Sequence, residues 1–193
     1  MPAGDRPEVG RAFVAVRPPE PVLDAVAERL RAGRPAHWPS TVRWAERAHW
    51  HLTLAFLGPV ARLAPVVDAL GSAAASQPAF PFQLAGAGAF PDAPRARVLW
   101  LGAGEGTRRF VALAAAVAEA LEPLGHPRQD RPYHPHLTVA RRREPAPAGE
   151  WIRAIGPEPV GAPWTVREVV VYQSRTAATG PTYTVLEIGR AHV

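Results

Sequence analysis

The chain has 193 residues, 47% of them hydrophobic and 20% charged, which fits one globular domain of at most two lobes and excludes wholesale disorder or a fibrous repeat. It contains no cysteine, so disulfide scaffolds, thiolate metal sites and cysteine nucleophiles are removed together. All 22 basic residues are arginine, a usage that reads first as a GC-rich coding bias; the net charge of +5 still favours a phosphate-bearing partner, and the lack of lysine excludes P-loop and Schiff-base chemistry.

Residues 1–10 carry Asp5 and Glu8 among prolines instead of a basic region followed by an apolar stretch, and no apolar run is long enough to cross a bilayer. Met1–Gly10 is therefore expected to be a disordered tail, and the protein to be cytoplasmic with no membrane partner. Arg11–Arg17 is a predicted strand. Pro18-Pro-Glu-Pro21 opens a helix in which Val22, Val26, Ala27 and Leu30 recur at helical spacing up to Gly33. Thr41–Trp44 is a short predicted strand, and His49–Leu57 alternates polar and apolar residues as a half-buried strand does, ending at Gly58-Pro59. Leu63–Ser76 is an alanine-rich predicted helix.

Strand character returns in Phe80–Ala87 and Ala96–Gly102, separated by the turn-forming Pro91-Asp-Ala-Pro94. Thr107–Leu121 puts Phe110, Leu113, Ala114, Val117 and Leu121 on one helical face. Tyr133–Arg141 alternates again, Glu144–Gly149 is a Pro/Ala loop, and Trp164–Tyr172 and Thr182–Ile188 are closing strands around Thr179-Gly-Pro181. Helices interleave with strands joined by short turns, so the expected class is α+β with mostly antiparallel sheets.

One near-repeat carries chemistry. His51-Leu-Thr-Leu-Ala-Phe56 returns 85 residues later as His136-Leu-Thr-Val-Ala-Arg141, and each copy is preceded by a strand and a helix. Residues i and i+2 of a strand share a face, so His51 and Thr53, like His136 and Thr138, point one way about 7 Å apart. This pattern predicts a duplicated, bilobal fold with a pseudo-twofold site between the halves.

Imidazole titrates near neutrality, so of two histidines facing one phosphodiester one can accept a proton while the other donates it. The hydroxyls of Thr53 and Thr138 can hold the non-bridging oxygens, and Arg141 can neutralise developing charge. That set needs no metal. The rival is a zinc-dependent hydrolase that uses His49-Trp-His51 and His134-Pro-His136 as two His-X-His pairs, but no acidic residue lies beside either pair and the threonines would have no role. Arg142 and Arg143 are assigned to solvent and the six tryptophans to the core. A different class of protein, a non-catalytic binder of RNA ends, would have no need of two titrating groups.

At these residues the sequence resembles the bacterial and archaeal RNA 2′,3′-cyclic phosphodiesterases, historically called 2′-5′ RNA ligases, within the two-histidine phosphoesterase superfamily. The likeness runs in order and spacing through Arg11–Val16, Val42-Arg-Trp44, His51–Gly58, Gly88-Ala-Phe-Pro91, Arg97–Gly102, Pro135–Arg141, Val171–Arg175 and Gly180–Tyr183. The resemblance implies one bilobal domain over residues 11–188, with 189–193 as a tail: two antiparallel sheets flanked by helices, and the active-site groove between them. It implies hydrolysis of an RNA-terminal or nucleoside 2′,3′-cyclic phosphate to a 2′-phosphate, with a reversible 2′-5′ ligation as a side capacity. By the same resemblance, His51 protonates the leaving 3′ oxygen, His136 activates water, and Thr53, Thr138 and Arg141 bind the phosphate. The two histidine roles are interchangeable in sequence. No cofactor or metal is implied, the partners are RNA ends or cyclic nucleotides, and a monomer is expected. Ser174 matches a family position to which the sequence gives no role.

Overall fold

The computed structural model describes residues 9–33, 42–177 and 180–190. In chain order the elements are β1 (Val9–Val16), α1 (Glu20–Ala32), β2 (Val42–Trp44), a 3-10 turn (Arg47–His49), β3 (Leu52–Val60), α2 (Leu63–Ala75) and β4 (Phe80–Phe90). They continue as β5 (Ala96–Ala103), α3 (Thr107–Leu121) with a 3-10 turn (Glu122–Leu124), β6 (Leu137–Ala146), α4 (Gly149–Ile155), β7 (Pro159–Val166), β8 (Glu168–Ala177) and β9 (Gly180–Arg190). The fold is α+β. Both termini of the sheet reach into segments expected to be tails, since β1 starts at Val9 and β9 runs to Arg190.

Strong periodicity located the helices well, and α3 has the predicted bounds because five apolar residues on one face are buried. The strand boundaries needed correction. The strand expected over His49–Leu57 begins at Leu52, because His49 closes a 3-10 turn. The strand expected over Tyr133–Arg141 begins at Leu137, after Pro132 and Pro135, which have no N–H to give to a ladder. The expected Glu144–Gly149 loop holds the end of β6 and the start of α4, a short helix anchored by buried Trp151 and Ile155 one turn apart. The expected Trp164–Tyr172 strand is two strands broken at Arg167, since β7 pairs with β4 whereas β8 pairs with β1.

All strand pairs are antiparallel, in the order β7-β4-β5-β6-β3-β1-β8-β9, with β2 attached to β6. The expected pair of sheets appears as two halves, β7-β4-β5-β6 and β3-β1-β8-β9, joined at a single residue pair, Leu52 opposite Leu137. The duplication is visible in the register. Val16 faces Leu52 and Ala15 faces Thr53 in one half; Leu101 faces Leu137 and Trp100 faces Thr138 in the other. In both halves the register then slips by one residue, at Leu54 and at Val139. Each half also completes the other: β4 follows the first repeat yet pairs with β5, and β8 follows the second yet pairs with β1.

The helices cover the inner side of this sheet. Helix α2 packs on α3 and β9, while α1 packs on β7 and α4. Arg29 of α1 fixes that contact by donating to the carbonyls of Ile155 and Pro159, each at 2.9 Å. One core, from Val14 and Leu23 through Phe82 and Leu99 to Val139 and Trp151, runs through both halves. Phe13, Ala15, Val170 and Tyr172 form a separate small cluster on the opposite face, which is the groove side. No described helix is long and apolar enough to cross a membrane.

Candidate active site

The site is set by the pair that joins the sheets. Leu52 and Leu137 are both fully buried toward the helices, so their neighbours His51, Thr53, His136 and Thr138 turn to the groove. Continuing the antiparallel register places His51 across from Thr138 and Thr53 across from His136. Two imidazoles and two hydroxyls thus converge around the local twofold, as the repeat predicts. Neither hydroxyl has a hydrogen-bond partner among the described residues, so both are available to a ligand.

Each ring is held from behind. The Nδ1 of His136 lies 2.7 Å from the carbonyl of His134, and His51 makes the matching backbone hydrogen bond to His49. A carbonyl only accepts, so Nδ1 of His136 carries the proton and its Nε2 is left to take or return one at the groove. Aromatic walls fix the ring planes. His51 lies 4.7 Å from Phe13, 5.4 Å from Tyr183 and 5.9 Å from Tyr172, measured between ring centres. His136 meets Phe90 edge-on at 4.9 Å and Trp100 at 6.2 Å. The registers make Tyr172 and Phe90 equivalent, because Phe13 faces Tyr172 as Val98 faces Phe90.

Burial sets the protonation state. It pushes the His51 imidazole down to about 4; the hydrogen bond to His49 opposes the shift, and the positive fields of His49, Arg141 and His136 add to it. Burial also holds His136 below the ordinary imidazole range, again opposed by its carbonyl partner and reinforced by Arg141 and His134. Arg141 therefore acts on both histidines and on Tyr183, whose phenol burial keeps protonated.

Strict alternation from Leu137 would have turned Arg141 inward with Val139. The slip at Val139 instead leaves Val139 and Ala140 both buried and returns Arg141 to the exposed, groove side. Arg142 goes inward, where its guanidinium donates to the carbonyls of Ala146 and Pro147; its assignment to solvent is corrected. Arg143 is exposed, as expected. Ser174 faces Tyr183 across the β8–β9 ladder, which puts it on the wall beside His51.

His49 packs its ring against the edge of Tyr183 at 4.8 Å, and the role of His134 lies in its carbonyl. Among the described residues no three His, Asp or Glu side chains stand close enough to share a metal ion. Sequence reasoning missed the aromatic walls. Phe13, Phe90, Trp100, Tyr172 and Tyr183 look like core residues, and only the position of their strands beside the two motifs marks them as part of the site. Trp100 needs Gly88 in particular, because a Cβ there would collide with the indole ring.

The chain is similar to known proteins over nearly its whole length. A curated RNA 2′,3′-cyclic phosphodiesterase of Thermus thermophilus is 38% identical over 184 residues, covering 92% of this chain and 88% of the relative. A crystal structure of a Thermus thermophilus protein superposes with a TM-score of 0.74 at 34% identity, over 93% of this chain and 97% of the other. Escherichia coli LigT in complex with 3′-AMP superposes with a TM-score of 0.72 at 28% identity, over 94% and 98% of the two chains. The profile of the 2′-5′ RNA ligase superfamily matches residues 18–178. The paired His-X-Thr strands and these matches over nearly the whole length identify the chain as a member of the 2′-5′ RNA ligase superfamily.

Proposed function

We propose that this protein hydrolyses the 2′,3′-cyclic phosphate at an RNA 3′ end, or on a nucleoside, to a 2′-phosphate without a metal ion. The observation that carries the reading is the convergence of two imidazoles and two unpartnered hydroxyls on one groove across the Leu52–Leu137 pair. Water attacks phosphorus as His136 Nε2 takes its proton; the bond from phosphorus to the 3′ oxygen breaks, and that oxygen takes a proton from His51. Thr53 and Thr138 hold the non-bridging oxygens, and Arg141 offsets the charge that grows on them. The family's curated relatives bear the name of this activity. A single chain holds every group named, which supports action as a monomer.

The test is turnover of 2′,3′-cyclic AMP by the wild type, His51→Ala and His136→Ala, with phosphorus NMR of the product. Each variant should lose at least about 100-fold in kcat, the scale of one general acid or base. Retention of half the wild-type rate by both would overturn the two-histidine mechanism, and a 3′-phosphate product would overturn the assignment of the leaving group.

A further inference from the structure

Strand β2 runs along β6 just beyond the point where β3 leaves it, and it brings one more arginine to the groove. Arg43 stands directly opposite Arg141. The flanking pairs, Val42 with Arg142 and Trp44 with Ala140, face inward, and Val42, Arg142 and Ala140 are buried; Arg43 and Arg141 therefore share the outer face. Arg143 occupies the next exposed position on β6. None of these three guanidinium groups has a hydrogen bond or ion pair among the described residues. By contrast, Arg17, Arg29, Arg47 and Arg95 are each matched to a carboxylate.

Like charges directly opposite each other on strands spaced about 5 Å apart repel. An anion between them turns that repulsion into attraction, and the planar donor forks of two arginines suit phosphate oxygens. Arg141 already acts on His51, His136 and Tyr183, so Arg43 extends the same positive surface one strand further from the reacting centre.

We infer that Arg43 binds the phosphodiester next to the terminal cyclic phosphate, with Arg141 between the two phosphates and Arg143 continuing the track. The preferred substrate is then the end of a single-stranded RNA chain rather than a free cyclic mononucleotide. This rests on the hydrolytic reading above, and the experiment separates the two. kcat/KM is measured for 2′,3′-cyclic AMP and for a tetranucleotide ending in a cyclic phosphate, with wild type, Arg43→Gln and Arg43→Lys. In parallel, fluorescence anisotropy follows binding of a labelled tetranucleotide ending in a 2′-phosphate over a range of salt.

Arg43→Gln should lower the ratio of tetranucleotide to mononucleotide kcat/KM about tenfold and weaken tetranucleotide binding about as much. The slope of log affinity against log salt should become shallower by about 0.7, the loss of one phosphate contact on a single strand. Arg43→Lys should recover much of the binding. An unchanged ratio with unchanged binding overturns the Arg43 subsite and leaves the hydrolytic reading standing. If the wild type turns over neither substrate, the hydrolytic reading fails and the binding arm alone decides the subsite: weaker binding by Arg43→Gln supports it, and equal binding or no wild-type binding overturns it. Because the Arg43 side chain is exposed and makes no bond to the rest of the fold, both variants should keep the wild-type melting temperature.

Discussion

A neutral imidazole can take a proton but has none to give from the atom that faces the groove, and burial leaves both His51 and His136 neutral at pH 7. The acid must therefore gain its proton at lower pH or together with an anionic substrate. It follows that kcat/KM, which reports the free protein, should follow a bell with its optimum below pH 6.5 and should already be falling at pH 7. Its two apparent pKa values belong to the coupled pair. The kcat profile should lie at higher pH, because bound phosphate holds the proton on. Initial rates from pH 4 to 9 test this, and a kcat/KM optimum above pH 7 would contradict it. The same shift enters stability. His51 is protonated near 6.5 when unfolded and near 4 when folded, so its contribution is complete above 6.5 and is lost as pH falls from 6.5 toward 4. His51→Gln should shrink the stability difference between pH 7 and pH 4 by about 3 kcal/mol, read from urea midpoints.

Strands β3 and β6 deliver the motifs, and each depends on a neighbour for its aim. On the first, Arg47 of the 3-10 turn pairs with Glu20 at 2.7 Å and with Asp24, while Arg17 pairs with Glu20 at 2.9 Å and donates to the carbonyl of Ala48. These contacts tie the turn that carries His49 to the start of α1, and Arg47, then Arg17, holds the Glu20 carboxyl below its usual range. On the second, Trp100 lies over Gly88 and walls His136. Gly88→Ala should displace the indole, lower kcat about tenfold and cost about 1–3 kcal/mol through overpacking. Gly71 in α2 gives the contrast. It has no atom near its missing Cβ and a helical backbone, so Gly71→Ala should stabilise the protein by about 0.5–1 kcal/mol without changing turnover. Thermal melts and rates of the two variants check the pair, and equal behaviour would refute the account of Trp100.

The two halves interlock, because β4 and β8 each complete the sheet of the other repeat and one core crosses the boundary. The described fold should therefore unfold in a single transition, with tryptophan fluorescence and far-ultraviolet circular dichroism coincident in urea; two separated transitions would show independent lobes. Tyr133 ties the segment before β6 to β3 on the helix side, since its hydroxyl donates to the carbonyl of Thr53 at 2.7 Å and its ring stacks on Phe110 of α3. Tyr133→Phe should cost about 1–3 kcal/mol by leaving that carbonyl without its partner. Removal of divalent ions with a strong chelator should leave both the melting temperature and cyclic phosphate hydrolysis unchanged. Loss of activity restored by zinc would instead favour His49 and His134 as ligands.

The α+β class, the helices with strong periodicity and the sharing of one strand face by His51 with Thr53 and by His136 with Thr138 were legible in the residues alone. Two copies of one short strand pattern state in one dimension both the face and the chemistry. The rest depends on contacts between segments far apart in the chain. Alternation along one strand cannot foresee a bulge, so the face of Arg141, the burial of Arg142 and the pairing of Arg43 with Arg141 depend on how β6 meets β5 and β2. Helix α4, too short to show a periodicity, is fixed by the pocket that buries Trp151 and Ile155. The split of the closing strand at Arg167 and the aromatic walls around each histidine arise from long-range pairing between repeats, which brings together residues that local pattern shows only as apolar.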